Sequence, residues 1–513
     1  MKKLSTLAFL LLFMGFSSCT KQEDQQSQQQ SGELKIKSKP VSVPEGDPLD
    51  KLQLDKEVIH TLESHNDFQW EWMDLKTLWS ALQYGDHSLA IGYKPATAGD
   101  ISTKLHTLNI KSGAYKEVHD NLIAIILEEL NKNSTNPVSL QDILIEDDQV
   151  LPILTLRITD KNVLTRLYNL ENVRYLEPLD YWPNDPNRSS TGCAASTELL
   201  NAADWTTTTP NALIPWNFNN HQIPGAWNVS QGLGITVGVI DAGLRGSQTL
   251  LAADFNDGDS NVGRTVTTGY TLGTSAFTGC NHGTSMSGAA VGPRNNKGGT
   301  VGVAYKSNLN FIRASDDVIL DASSEKTATK NAFIQMGNNA SIKIISLSMG
   351  SPFGSSVLKD GVDYAYGLGK LIFAAAGTSL TWTSWWGVIY PAAYSSCVAV
   401  TGIRDNGSTC GTCHDGSKVQ YTITMERSAN NNRNSLSLPG SGFTPTYIGG
   451  SSIATSTTAG IAALVWSARP NMTRTQLLTC LTNTAQFYPN KNSTKGYGNL
   501  NTLAAVNYAV ANY

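Results

Sequence analysis

Two kinds of hydrophobic patterning divide the chain. Up to about residue 181, short alternating or apolar runs flank helices with one apolar side. Residues 88–94 (SLAIGYK) and 173–179 (VRYLEPL) predict strands, as do two runs within 143–158 (ILIE, then VLPILTLRI). Residues 115–132 gather Leu122, Ile125, Ile126, Leu127 and Leu130 on one side of a helix, and 161–170 predict a second, shorter helix. Ahead of these, residues 56–82 predict helix, with Trp70, Trp72 and Trp79 as packing residues. Residues 181–210, rich in Pro, Asn, Ser and Thr, read as a linker.

After the linker the pattern changes. Residues 235–240 (ITVGVI) form a nearly continuous β-branched run of the kind buried on both faces of a parallel sheet. Residues 309–312, 342–347, 370–376 and 397–403 repeat the type, and helical stretches at 283–291, 325–336 and 356–368 lie between them. Strands alternating with helices predict an α/β domain with a mostly parallel sheet, whose functional groups gather at the carboxyl ends of its strands. The earlier region has the order strand–helix–strand–strand–helix–strand, the ferredoxin-like α+β arrangement.

Length agrees with more than one domain: 513 residues exceed one ordinary core. Charged residues are only 16 % of the chain and the net charge is −4, so no affinity for nucleic acid is expected. The low charge, with 44 Gly and abundant Ser, Thr and Asn, suits an exported protein. Lys2 and Lys3 precede the apolar run 7–14, which is too short to span a membrane permanently and reads as a signal peptide. Cys19, after Ser17 and Ser18, resembles the lipidated cysteine of a bacterial lipobox, although Phe16 departs from the usual aliphatic residue. Residues 20–44 carry too few apolar groups to fold and read as a tether. The expected layout is signal peptide 1–18, tether 19–45, ferredoxin-like unit 46–181, linker 182–210 and α/β domain 211–513. In an oxidising compartment Cys193, Cys280, Cys397, Cys410, Cys413 and Cys480 suggest disulfides, with no pairing fixed by the sequence.

Three junctions in the α/β domain carry suggestive chemistry. Asp241 ends a buried strand, His282 opens a small-residue helix in CNHGTSMSGAAVG, and Ser451 and Ser452 sit between two glycines and a helix in YIGGSSIATSTTAGIAALVW. Singly, each reads as a turn or helix-cap residue. Together they run Asp, His, Ser, one of the known orders of an acyl-transfer triad. A serine at a glycine-to-helix junction also has unpaired N–H groups and a positive dipole end beside it, which suits a developing oxyanion.

On these motifs the region from residue 234 to 513 resembles the subtilisin-type serine peptidases. VGVIDAGL is similar to the family's Asp motif, HGTSMSGAAVG to its His motif and GGSSIAT to its nucleophile motif; IISLSMGSP and YPAAY resemble the substrate strand and a segment near the specificity pocket. The resemblance implies the subtilisin-like three-layer α/β fold, a serine endopeptidase and a triad of Asp241, His282 and Ser452. It implies an oxyanion hole from Thr378 and the Ser452 N–H, a peptide-pairing strand at Ser348, Met349 and Gly350, and a pocket lined by Ala375, Ala376 and Gly377. Polypeptides would be the substrates, and no cofactor is required, with structural calcium possible. Residues 46–181 resemble the family's inhibitory propeptides, acting in cis until a cut within residues 181–204, and Cys19 would anchor the chain to a bacterial membrane.

The departures point to a second reading. Thr378 stands where the family usually has Asn, Ser285 replaces the second His of HGTH, and Ser456 replaces the usual Pro. A shorter oxyanion donor fits a catalytically weak or inactive binding protein on the same fold. Ile389 stands where small residues are common and narrows the expected pocket; Trp382, Trp385 and Trp386 read as packing or outer subsites. The run 410–414 (CGTCH) fits a haem-attachment pattern but lacks any second sign of a haem pocket, and a disulfide or thiol role is preferred. Residues 256–261 (NDGDSN) resemble the start of a calcium loop without its closing Glu.

Overall fold

The computed structural model describes residues 31–65, 67–132, 134–183, 192–194, 196–378 and 387–513. The signal peptide, Cys19, much of the linker and Trp382, Trp385 and Trp386 lie outside the described residues.

In the N-terminal unit, helices α1 (Lys51–His65) and α2 (Leu75–Tyr84) precede a sheet of β1 (Ser88–Tyr93), β2 (Leu144–Asp147), β3 (Ile153–Arg157) and β4 (Val173–Pro178). Helices α3 (Gly113–Asn131) and α4 (Lys161–Tyr168) cross between strands. The sheet order β2-β3-β1-β4 is antiparallel throughout, as the ferredoxin-like pattern requires. The single helix expected over 56–82 is two, because the Asp74 side chain accepts the Thr77 N–H and starts a new helix after a turn at Trp70–Trp72. The end of the expected tether is also ordered. The Lys35 N–H donates to Asn172 Oδ1 at 2.8 Å and the Lys37 N–H to Asn169 O at 2.7 Å, and Leu34 packs against the N-terminal core, so backbone hydrogen bonds with one apolar anchor hold it.

The second unit begins inside the expected linker. Trp205–Thr208 (β5) and Ala212–Pro215 (β6) form a hairpin, and Asp204 before it is fully buried between Arg427 and Arg433. The Thr run there hid a strand that packs on later sequence. The main sheet comprises β7 (Thr236–Asp241), β8 (Val266–Tyr270), β9 (Asn308–Arg313), β10 (Ile342–Leu347), β11 (Leu371–Ala375), β12 (Val398–Arg404), β13 (Val419–Arg427), β14 (Asn430–Ser437) and β15 (Thr446–Ile448). Its order is β15-β14-β13-β12-β11-β10-β7-β9-β8, parallel from β13 to β8, with β14 and β15 added by antiparallel pairing at one end. The chain visits β8 and β9 on one side of β7 and then β10 on the other. This is a switch point, and it leaves a crevice at the carboxyl end of β7.

Helix α5 (His282–Val291) opens at that crevice, while α6 (Ser323–Asn338) and α7 (Ser356–Gly367) cover the other face of the sheet. Helix α8 (Gly450–Ala468) is buried from Gly450 to Trp466, so it is apolar or small on every side.

The four-stranded sheet docks on α6 and α7. Ile334, Phe353, Val357 and Tyr364 of the second unit join the N-terminal core. Arg174 forks onto Asp360 at 2.7 and 2.8 Å, and fully buried Lys330 meets Glu146 at 3.0 Å and also Asp148. Glu177 accepts the Val357 N–H at the start of α7 at 3.1 Å; burial holds its carboxyl above the usual range.

Candidate active site

Three elements deliver the expected triad residues to one place. Asp241 is the last residue of β7 and has no exposed surface. Its Oδ1 accepts from the Ala242 N–H and from His282 Nδ1, both at 2.8 Å, while Oδ2 meets no hydrogen-bond donor among the described residues. An acceptor-only carboxylate fixes the imidazole as the Nδ1–H tautomer or its cation, and in the neutral form leaves the Nε2 lone pair for a proton. His282 is the first residue of α5, with Asn281 at the cap position making no side-chain cap bond.

Ser452 lies in the first turn of α8, which has Gly449 at its cap position and no side-chain cap bond, so neither serine caps the helix. Its Oγ donates to Ser348 O at 3.4 Å, and Ser348 Oγ donates back to Ser452 O at 3.1 Å. The hydroxyl therefore rests on Ser348, the residue after β10.

Thr378 reaches the same turn. The Gly377 N–H donates to Ser451 Oγ at 3.0 Å, and Thr378 Oγ1 lies 3.3 Å from both Ser451 N and Ser451 Oγ. With Ser451 Oγ already accepting from Gly377, its own proton is free to point at Thr378. Either hydroxyl can donate in the contact between them; where Ser451 donates, the Thr378 O–H remains to donate elsewhere. Gly450, with φ +76°, is required here, since a Cβ would sit 2.5 Å from Thr378 Oγ1. Gly377, with φ +126°, is equally constrained: a Cβ would fall 2.6 Å from His414 Nδ1 and 3.1 Å from Ile389 Cγ2.

These groups face one cavity of about 690 Å³ whose walls include His282, Ser348, Met349, Gly350, Ala375, Gly377, Thr378, Ile389 and Ser452. Ala376, expected on the wall, is instead fully buried; its N–H donates to Val400 O and its carbonyl accepts from Ile389. Alternation along an extended segment turns it inward. Gly350, expected to pair with a peptide, already donates to Val318 O at 3.0 Å and accepts from Leu320 N at 2.9 Å.

His414 was not singled out as a site residue by sequence. It is buried on the cavity wall, Nδ1 donating to Gly387 O at 3.0 Å, and burial lowers its pKa, favouring the neutral ring. Its N–H donates to Gly377 O at 2.9 Å and Cys413 bridges to Thr378, so this loop holds the segment carrying Thr378. The signal was the CGTCH run. Its cysteines form the disulfide Cys410–Cys413, which leaves no thiol for haem attachment. A second disulfide joins Cys193 to Cys280; Cys397 and Cys480 are buried thiols, and burial pushes Cys480 up to about 11.

Among the described residues no group of three or more His, Cys, Asp or Glu side chains is placed to hold a metal ion. In the NDGDSN run, both Asn256 amide atoms bond Arg264, Asp257 Oδ2 accepts from the Asn296 N–H, and Asp259 meets Arg294, Lys306 and Tyr305. No helix of the described residues is long and apolar enough to cross a membrane.

A buried carboxylate–imidazole pair and a helix-start serine, at the carboxyl end of a parallel sheet, define a serine hydrolase class of site. The family model for Peptidase_S8, described as the subtilase family, matches residues 232–499, and the chain belongs to that family. It is 28 % identical to thermitase from Thermoactinomyces vulgaris over 300 residues, spanning 56 % of this chain and 94 % of that protein. It is 30 % identical to M-protease from Shouchella clausii over 308 residues, spanning 58 % of this chain and 71 % of the relative. Among solved structures, MycP1 from Mycobacterium smegmatis aligns over 61 % of this chain and 88 % of its own at 19 % identity, with a TM-score of 0.47.

Proposed function

We propose that this subtilase, a serine-type endopeptidase by family, cuts polypeptides through Asp241, His282 and Ser452 and an acyl-enzyme. The 2.8 Å Asp241–His282 contact, buried and sharing a cavity with Ser452, carries this reading. Ser452 Oγ attacks the carbonyl carbon and its proton passes to His282 Nε2. Asp241 keeps Nδ1–H oriented and stabilises the imidazolium. The tetrahedral oxyanion is held by the Ser452 N–H, unpaired in the first helical turn, and by the remaining Thr378 O–H. The C–N bond breaks as His282 returns the proton to the amine, and water then releases the acyl group by the same steps reversed.

Residues 46–181 act as an inhibitory propeptide in cis. The sheet docked on α6 and α7 through Arg174–Asp360 supports that role. The chain is exported on signal peptide 1–18 and anchored through Cys19 when that residue is lipidated. Fluorophosphonate labelling tests the chemistry. Labelling of the cut chain that is lost in Ser452→Ala is expected; no Ser452-dependent labelling overturns it.

One observation favours the second reading, a weak or inactive binding protein. The Gly350 N–H and C=O, which a substrate strand would use, are taken by Val318 and Leu320. Under that reading neither casein nor short-chain esters are turned over, although peptides still bind.

A further inference from the structure

The Cys193–Cys280 disulfide joins the middle of the linker to a residue two positions before His282. It falls where the chain changes partners. Just upstream, Tyr181 Oη donates to Asp55 at 2.7 Å and Trp182 O accepts from Lys51 at 3.0 Å, both in the N-terminal unit. Downstream, Glu198 accepts from Asn430 Nδ2 at 3.0 Å, the Asn201 N–H donates to Tyr447 Oη at 3.1 Å, and Asp204 is buried against Arg427 and Arg433. Between these anchors Gly192, Ala194, Thr197 and Glu198 line the same cavity as His282 and Ser452.

We propose that Cys193–Cys280 retains residues 193–204 on the peptidase after processing, as a covalent wall of the substrate cavity, and that the releasing cut lies N-terminal to Cys193. This rests on the zymogen reading above. A hydrolysed peptide bond C-terminal to Cys193 frees nothing, because the disulfide still tethers the inhibitory unit. A unit on such a tether has an effective concentration on the order of millimolar and rebinds. A cut before Cys193 has no such penalty. The retained wall shares its cavity with His282, Ser452 and the Ser348–Gly350 segment, so it contacts peptide bound along that cavity.

The exported full-length chain tests the placement, whichever peptidase makes the cut. Intact mass and N-terminal sequencing are read with and without dithiothreitol. A mature chain that begins at or before residue 193 in both conditions is expected. A start beyond residue 193, an N-terminal fragment freed only by dithiothreitol, or a non-reduced peptide map lacking the Cys193–Cys280 cross-link overturns it.

The cavity wall is tested on Cys193→Ser/Cys280→Ser and, with the disulfide kept, on Thr197→Trp. Each should lower kcat/KM about tenfold for extended peptides relative to single-residue anilides. An unchanged ratio in Thr197→Trp, with active sites counted by fluorophosphonate, overturns the wall even where the double variant fails to fold. Loss of Ser452 labelling in wild type, by contrast, removes the catalytic reading and leaves the N-terminus and the cross-link to be scored on their own.

Discussion

Thr378 and Ser451 share two long hydrogen bonds at the foot of α8, and when Ser451 donates to Thr378 the Thr378 proton is left for the proposed oxyanion. Thr378→Val keeps the shape and removes that proton. Loss of one such donor costs about 10²- to 10³-fold in kcat, so Thr378→Val should fall in that range with KM little changed, while Thr378→Ser stays within about tenfold; steady-state kinetics on one peptide decides. Equal activity of Val and Thr would remove Thr378 from the hole. Gly377→Ala tests the same segment from its backbone. A non-glycine at φ +126°, pressed on His414, carries strain of about 1–3 kcal/mol. The expected result is a lowered kcat with the melting temperature falling by a few degrees, read by parallel kinetics and calorimetry.

At the scale of elements, buried His221 ties the chain just before the main sheet to strand β13 and to the segment ahead of the last helix. Nδ1 donates to Leu500 O at 2.8 Å and Nε2 accepts the Thr424 N–H of β13 at 2.9 Å, which requires the neutral ring. Burial, the main cause, lowers its pKa from 6.5 to about 4. The unfolded chain therefore takes up a proton near pH 6.5 that the folded chain refuses until about pH 4. Stability is fully present above pH 6.5 and falls as pH drops toward 4, by about 3 kcal/mol at most. Thermal melts of wild type and His221→Gln across pH 4–8 should show a steeper acid loss in wild type; parallel curves would refute the assignment.

For the whole molecule, the decisive contact is between the two units. Arg174 and Asp360 are both largely buried, and removing one partner of such a pair strands the other at a cost of about 3–5 kcal/mol. Arg174→Ala should thus speed departure of the N-terminal unit after cutting by at least about a hundredfold, followed as the rise in activity with time. Glu177, fully buried at the same interface near Lys326 and Glu71, has its pKa raised by burial. Lys326 and the Ser355 and Val357 donors across the interface oppose that shift by favouring the charged carboxylate.

Much of this was legible in the chain. The strand at 342–347, the helix at 356–368, the strand–helix alternation and the positions of Asp241, His282 and Ser452 follow from periodicity and from residues placed at element ends. Such signals are local, set by side-chain alternation, turn chemistry and small residues near a helix start. The hairpin at Trp205–Pro215 and the Asn-rich strand β14 carried no local strand signal, because their stability comes from partners far along the chain. The same holds for the pairing of Cys193 with Cys280, for Gly350 already bonded to Val318 and Leu320, and for His414 beneath Gly377. Sequence singled out Asp241, His282 and Ser452 as the candidates for the chemistry. Only the tertiary structure decided what holds them and what stands in front of them, since those contacts join segments tens to hundreds of residues apart that no local pattern relates.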